Sequence, residues 1–208
     1  MTPSRGTRRR TWLAGTLALA VNPWAAMPAH AIQEPGYTVA QKLGDDVEVR
    51  DYAAYVVAEV TVPGPASEAG NQAFPILAGY IFGKNQGEQK MAMTAPVMQA
   101  PLPRAEGTSA AAEGFIVQFV LPAGITREGA PRPLDNRIRL RDVAPNRVAA
   151  IRYSGMWSES NKNEHLAKLK ATLQSAGLGW TGEPMLSRYN GPMTPWFMRR
   201  NEVWLTLN

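Results

Sequence analysis

Cysteine is absent from this chain of 208 residues, and histidine occurs only twice. Without cysteine there can be no disulfide, no iron–sulfur cluster, no thiolate ligand and no cysteine nucleophile, so core packing must stabilise the fold. His30 lies in an N-terminal segment that we expect to be removed, which leaves His165 as the one histidine of the mature chain. A zinc or copper site built from several histidines is therefore excluded.

Residues 1–31 have the pattern of a cleaved signal peptide. Four arginines precede an apolar run at 12–21 that is too short to span a bilayer, and Ala29-His30-Ala31 has the small-x-small form of a cleavage site. We predict a mature chain of residues 32–208, periplasmic or secreted, that keeps no stable membrane anchor. Arg9-Arg10 followed by two bulky apolar residues also resembles a twin-arginine signal, although a Sec signal can carry the same charges.

Removal of that segment also removes most of the net charge. The whole chain has 22 basic and 17 acidic residues, and the first 31 residues hold four arginines and no acid, which leaves 18 basic and 17 acidic residues, a net of +1. A nearly neutral body lacks the basic surface that nucleic-acid binding requires. The remaining 177 residues suit one domain with a substantial core.

The pattern of apolar residues predicts the order strand, helix, strand, strand twice. The first half has strands over 47–52 and 55–62, a helix from a cap at Ser67 to a stop at Gly83, and strands over 91–99 and 115–121. The second half has a strand over 147–153, a helix from a cap at 160 or 161 to about 176, and strands over 184–189 and 202–207. This order favours an α+β fold in which both helices pack on one mostly antiparallel sheet, or on a sheet curled into a barrel.

Five blocks of residues, in order and at matching distances, resemble the SOUL haem-binding protein family. They are Val47-x-Val49-Arg50-x-Tyr52, Ala73-Phe74-x-x-Leu77-x-x-Tyr80-Ile81-x-Gly83-x-Asn85, Met93-Thr94-Ala95-Pro96-Val97, Pro131-x-Pro133-x-Asp135, and Tyr189-x-x-Pro192 leading into Arg200-Asn201-Glu202-Val203-Trp204. The resemblance covers about residues 37–207. It implies a distorted antiparallel β-barrel built from two βαββ repeats with two flanking helices.

The resemblance also implies binding of haem or a related tetrapyrrole, held non-covalently, for buffering or transfer. The implied groove lies along the first helix and the loop before the last strand, which corresponds here to Phe74, Leu77, Ala78, Ile81, Tyr189, Met193, Trp196 and Phe197. Such side chains suit a porphyrin face because they offer apolar area, but each taken singly could equally be an ordinary contact between helix and sheet. The run at 193–198 is harder to explain as packing, because large apolar side chains in a proline-flanked loop are unfavourable in water.

The chain departs from the family at positions tied to iron. Where some animal members read Arg-His-Tyr in the first strand, this chain has Arg50-Asp51-Tyr52. His165 is a weak candidate iron ligand, which we expect instead to lie exposed on a charged helix. The predicted cofactor is therefore haem without a strong axial ligand.

No nucleophile has a nearby base and no pair of carboxylates has catalytic spacing, so we do not expect an enzyme. Arg200 and Glu202 share one face of the last strand and predict a structural ion pair. Two other functions stay open. One is a sensor or scavenger of other flat hydrophobic small molecules, and the other is a protein-interaction module without a ligand, in which Trp196 and Phe197 dock a partner.

Overall fold

One curled antiparallel sheet with two helices forms the body of the protein. A computed structural model describes residues 32–103 and 114–208, so the predicted signal peptide lies outside the described residues. The elements, in chain order, are β1 (Tyr37–Lys42), β2 (Val47–Tyr52), β3 (Tyr55–Pro63), α1 (Ala66–Ile81), β4 (Val97–Pro101), β5 (Gly114–Val120), β6 (Arg139–Val143), β7 (Asn146–Tyr153), α2 (Glu159–Ser175), β8 (Trp180–Arg188) and β9 (Asn201–Leu207). A 3-10 turn, Trp196–Met198, precedes β9. Within the described ranges, neither helix has the length and apolar character needed to cross a membrane.

The strand order shows that the two halves of the chain are related by a pseudo-twofold axis. The order is β1-β2-β7-β9-β8-β4-β5-β3-β6. Each strand from β2 to β5 corresponds to the strand four places later in the chain: β2 to β6, β3 to β7, β4 to β8 and β5 to β9. When every strand is replaced by its counterpart, the order from β2 to β6 becomes the same order read backwards, as a twofold axis requires. The axis passes between Met98 and Ser187, which face each other at the centre of the β4–β8 pairing. The duplicated arrangement confirms the predicted α+β fold, a distorted antiparallel barrel with two flanking helices.

The two faces of the sheet have different roles. On the outer face, α1 packs on β3 and β5, and α2 packs on β7 and β9, each over its own apolar cluster. The inner face holds a third cluster that includes Tyr52, Met98, Tyr189 and Trp204. Because side chains alternate along a strand, β9 sends Val203 and Leu205 to the helix side and its even-numbered neighbours to the inner side.

Both predicted helix starts need correction. The predicted cap at Ser67 is wrong, because the cap lies two residues earlier, at Pro65, whose extended backbone takes this position without a side-chain hydrogen bond. The predicted stop at Gly83 is confirmed, since this residue has a positive φ of 111° directly after the helix. For α2 the cap is Ser158, whose hydroxyl accepts the backbone N–H of Asn161, rather than residue 160 or 161.

The structure contains two strands that the sequence pattern did not predict, β1 and β6, and a shorter β4 than predicted. Residues 91–94 form no named strand, and Met91 and Met93 are half-buried beside the cluster under α1. β1 is an edge strand with five of its six residues exposed, so it carries no alternation that a pattern could detect.

Candidate ligand-binding site

A buried carboxylate occupies the inner face of the sheet at β9. Glu202 is 0% exposed and accepts hydrogen bonds from both terminal nitrogens of Arg50, at 2.7 and 3.1 Å. It also accepts from the hydroxyl of Tyr189 at 2.9 Å, the indole N–H of Trp204 at 2.7 Å and Nε of Arg200 at 3.0 Å. We call these five residues the glutamate cluster. The predicted ion pair between Arg200 and Glu202 is confirmed, while Arg50 is a partner that the sequence analysis missed.

Electrostatics keep the glutamate cluster in one protonation state at neutral pH. Burial by itself would raise the pKa of Glu202, but the hydrogen bonds and charge of Arg50, with the charge of Arg200, outweigh it and hold this pKa below its ordinary value. Burial, together with the charge of Glu202, raises the pKa of the Tyr189 hydroxyl. Arg200 is also paired with Glu34 at 2.8 Å. Every charge here has a partner, so the cluster ties β2 to β9 and offers no free group for chemistry.

The structure separates the four predicted helix residues into core and surface. Leu77, Ala78 and Ile81 are buried in the cluster beneath α1, and in this structure Leu77 and Ile81 contribute no surface that a ligand could cover. Phe74 is 46% exposed, and its ring meets that of Phe119 on β5 edge to face at 5.5 Å between centroids. Among these four residues, Phe74 therefore offers most of the surface that a ligand could contact.

The predicted residues near the C-terminus divide in the same way. Tyr189 is buried in the glutamate cluster, whereas Met193 is 93%, Trp196 55% and Phe197 61% exposed. Trp196 and Phe197 contact each other edge to face at 5.6 Å. Together with the exposed Met156 and Met198, they form a surface that we call the methionine–aromatic patch. The structure thus brings three of the eight predicted residues into one surface.

The backbone under the methionine–aromatic patch is held in place by polar contacts. The N–H of Gly155 donates to the carbonyl of Trp196 at 2.9 Å, which joins the segment before α2 to the 3-10 turn. Arg199 donates to the carbonyls of Thr194 and Pro192 at 2.8 and 2.9 Å, and its guanidinium lies over the Trp157 ring at 4.3 Å. The apolar side chains are therefore presented by an ordered loop.

His165 does not lie fully exposed on α2 as expected. It is half-buried, and its ring stacks on Tyr153 of β7 at 4.2 Å between centroids, because the first turns of α2 pack over that strand. Its Nδ1 lies 2.8 Å from the carbonyl of Asn161. Because a carbonyl can only accept, Nδ1 is the donor, and the lone pair of the neutral ring is on Nε2.

A separate cavity of about 550 Å³ opens between the N-terminal segment, the β2–β3 turn and the loop after β5. Its lining combines the apolar groups of Tyr55, Leu121 and Ile125 with the carboxylates of Glu128 and Asp142. None of the eight predicted site residues lines it. Sequence patterns did not find it, because most of its lining comes from turns, where neither helical nor strand periodicity applies.

The fold and these surfaces define a curled α+β barrel with an exposed apolar patch. Residues 32–206 match the family described as SOUL heme-binding protein. The chain belongs to this family. It is 29% identical to Heme-binding protein 1 of Mus musculus over 152 residues, covering 73% of this chain and 77% of the mouse protein. It is 28% identical to Heme-binding protein 2 of Homo sapiens over 182 residues, covering 85% of this chain and 87% of the human protein.

Solved structures with the same fold have much lower sequence identity. The EcmrR C-terminal domain superposes with a TM-score of 0.56 at 11% identity, covering 83% of this chain and 98% of that domain. An uncharacterized conserved protein from Listeria innocua superposes with a TM-score of 0.59 at 12% identity, covering 78% of this chain and 92% of that protein. At such identities the likeness describes the fold alone.

Proposed function

We propose that this protein binds haem or a related tetrapyrrole non-covalently on the methionine–aromatic patch, for buffering or transfer of the ligand. Membership of the SOUL family supports the ligand class, as do the names of its relatives, Heme-binding proteins 1 and 2. The observation that carries the location is the exposure of Met193, Trp196 and Phe197 on an ordered loop. An apolar surface of this kind is unfavourable in water unless a ligand or a partner covers it.

The area of the two rings is sufficient for measurable affinity. Aromatic side chains bury about 150–250 Å² each, so covering half of the exposed surface of Trp196 and Phe197 removes on the order of 100 Å² from water. At about 25 cal/mol per Å², this contributes about 2.5 kcal/mol before the costs of association. The methionines of the patch add flexible apolar contacts that fit the edge of a flat ring.

Iron in such a site has no strong protein ligand. The thioethers of the patch are weak ligands, and His165 holds its ring flat against Tyr153. Binding therefore depends on apolar area, and we expect exchange of the ligand to be fast enough for transfer to a second acceptor. Iron ligation by His165, the one histidine of the predicted mature chain, would contradict the expectation that iron has no strong protein ligand.

A Soret titration of the purified chain tests the proposed site. Trp196→Ala combined with Phe197→Ala should weaken haem binding at least tenfold, with little change in the thermal melt because both side chains are exposed. Leu134→Ala is the matched control, since Leu134 is also exposed but lies on the loop before β6. Phe74→Ala tests whether the ligand also rests on α1.

Three outcomes decide between the open functions. Lost binding with an intact melt supports the patch as the ligand site. A collapsed melt shows that the two aromatics are part of the core, and the site is then wrong. Unchanged binding and an unchanged melt favour the interaction-module hypothesis, in which the patch docks a protein.

The cavity of about 550 Å³ favours a second candidate function, the binding of other flat hydrophobic small molecules. Its volume lies within the range of small-molecule pockets. Glu128 and Asp142 share one arginine, Arg127, so the three groups keep one excess negative charge beside apolar walls, which suits an apolar cation. Thr94→Trp would fill the cavity, because Thr94 is buried in its lining. This variant should abolish binding of a flat apolar cation such as ethidium and leave haem binding unchanged.

We further propose export to the periplasm, or secretion, with cleavage before Ile32. The basic segment, the short apolar run and Ala29-His30-Ala31 support this proposal. Intact-mass measurement of the exported chain should give a start at Ile32, and a species that retains Met1 would contradict it. Replacing Arg9 and Arg10 with lysine should stop export if the twin-arginine route is used.

A further inference from the structure

A small polar pocket lies on the outer face of the sheet, where the pseudo-twofold axis emerges between the helices. In the β4–β8 pairing, Val97 faces Arg188 and Gln99 faces Leu186, so the axis between Met98 and Ser187 relates Gln99 to Arg188. These two side chains occupy equivalent positions near the amino ends of the two helices. Gln99 donates to the carbonyl of Ala66 at the start of α1, and Arg188 lies beside the segment that caps α2.

Unsatisfied polar atoms are concentrated at this axis. In the described parts of the chain, four buried side-chain atoms have no hydrogen-bond partner, and two of them, Oε1 of Gln99 and Nε of Arg188, lie on this outer face. The third at this ladder, the Ser187 hydroxyl, points to the inner face beside Met98. A buried polar group without a partner is unfavourable, and such groups are rare in native structures. Of the atoms on the outer face, Nε of Arg188 is a donor without an acceptor, which points to a ligand that carries an acceptor group.

Arg188, whose side chain is half-buried, differs from Arg50 and Arg200 because no carboxylate of the described residues lies within ion-pair distance of it. Arg50 and Arg200 both pair with Glu202, whereas the guanidinium of Arg188 forms no ion pair within residues 32–103 and 114–208, and its Nε is buried without an acceptor. Its nearest aromatic contact is the ring of Trp157, at 5.1 Å. Burial lowers the pKa of Arg188, which is the sign of a cation held without full compensation.

The cavity beside Arg188 has the size and the donors for a small oxyanion. Its volume is about 80 Å³, well below the roughly 300–1,000 Å³ of pockets for small molecules, so it suits a single carboxylate or phosphate group. Donors come from Lys162 and from the hydroxyls of Ser67 and Ser158, at the uncapped start of α1 and at the cap of α2. Its one carboxylate, Glu159, is already bonded to Lys162.

We propose that this pocket binds the oxyanion of a carboxylate or phosphate group, with Arg188 as the principal donor between the amino ends of α1 and α2. Guanidinium groups bind such oxyanions through paired hydrogen bonds, and helix amino ends favour negative charge. The anion is either a free small anion or a propionate of a tetrapyrrole on the methionine–aromatic patch. Trp157 joins the two places, since it contacts both Arg188 and Arg199. The propionate source rests on the proposed function, while the oxyanion site itself does not.

Calorimetric titration with inorganic phosphate and with acetate, at constant ionic strength, tests the site without any porphyrin. The chain should bind at least one of these anions saturably, and Arg188→Gln should weaken that binding at least tenfold. Arg188→Gln should keep the fold, because it removes an uncompensated buried charge. Arg147→Gln, which removes an exposed arginine from β7, is the control and should bind as the unmodified chain does. Absence of saturable binding to either anion, or equal affinity in Arg188→Gln, overturns the oxyanion site.

The source of the oxyanion is decided by comparing protoporphyrin with its dimethyl ester. A preference for the diacid of at least tenfold that is lost in Arg188→Gln supports a propionate. Equal affinity for the two porphyrins, with phosphate binding retained, supports a free anion. If the protein does not bind tetrapyrroles, neither porphyrin binds while phosphate binding persists. Failure of the proposed function is therefore distinguishable from failure of the oxyanion site, in which phosphate and acetate do not bind.

Discussion

Replacing Glu202 with glutamine removes the buried negative charge that Arg50 and Arg200 share, and leaves Arg50 only its ion pair with the partly exposed Glu48, at 2.9 Å. The side chain of Arg50 is 4% exposed, and that of Glu202 is 0% exposed. Glutamine has the same shape, and its carbonyl oxygen can still accept from Tyr189 and Trp204, while its NH2 group replaces the oxygen that accepts from Arg50 Nη2 and Arg200 Nε. Breaking a buried ion pair by removing one partner destabilises a protein by about 3–5 kcal/mol, and we expect the lower part of this range here because Arg50 keeps Glu48 as a second partner.

Urea unfolding at pH 7 measures this loss directly. With an m-value of about 2 kcal/mol per M, the midpoint of Glu202→Gln should fall by roughly 1.5–2.5 M, towards the lower end of this range. Asp51→Asn is the control, because it removes a carboxylate from an ion pair with Arg147 that is exposed to solvent, and its midpoint should stay nearly unchanged. Adding Arg50→Met to Glu202→Gln should recover part of the loss, since neither member of the pair is then left charged and alone.

The pH dependence of the free energy of unfolding independently tests the direction of the Glu202 pKa shift. The pKa of Glu202 in the folded chain lies below its ordinary value of 4.5, so its contribution to stability is complete above pH 4.5. This contribution is lost as the pH falls through the lower, folded-state pKa. The difference between the unmodified chain and Glu202→Gln should therefore be constant above about pH 5 and shrink in acid. A midpoint difference under about 0.5 M at pH 7, or one that grows in acid, would refute a compensated buried charge.

Three further substitutions have defined outcomes. His165→Ala should leave the Soret band and haem affinity nearly unchanged, and a tenfold loss would make His165 the iron ligand. Leu77→Ala, at a fully buried position beneath α1, should cost about 2–5 kcal/mol in urea unfolding without a direct effect on ligand contacts. Asn85→Ala removes three hydrogen bonds, with the carbonyls of Tyr80 and Gln89 and the N–H of Gln89. It should lower stability by about 1–3 kcal/mol and raise amide exchange in the loop after α1.

The elements that the sequence predicted well are those with one buried face and with turn residues at their ends. β2, β7 and β9 alternate or run apolar, and each strand was predicted within one residue of its observed start. β1 and β6 were missed because they lie at the two edges of the sheet, where exposed and charged residues leave no apolar period. The pairing of β2 with β7 is a long-range contact, and no local pattern encodes it.

The candidate site was predictable to a smaller extent. The apolar run at 193–198 was identified because it lacked a packing explanation, and its side chains are exposed in the structure. Leu77 and Ile81 could not be separated from Phe74 by sequence, since helical spacing does not show which face a sheet will cover. Arg188 escaped notice because its significance depends on the absence of a counter-ion in the described residues, which is seen only once β8 is placed beside the amino ends of both helices.

The first strand of each half pairs with a strand of the other half, β2 with β7 and β6 with β3, and this pairing has a consequence during synthesis. β2 precedes its partner β7 by about 100 residues. At about 5–20 residues per second, a ribosome needs roughly 5–20 s to supply that partner, and for this time one edge of β2 stays unpaired. The first half of the chain therefore presents an open strand edge during synthesis, whereas β8 and β9 are neighbours in sequence and can pair as soon as both are made. Inserting residues between β5 and β6 would lengthen the wait, whereas the same insertion between β8 and β9 would not.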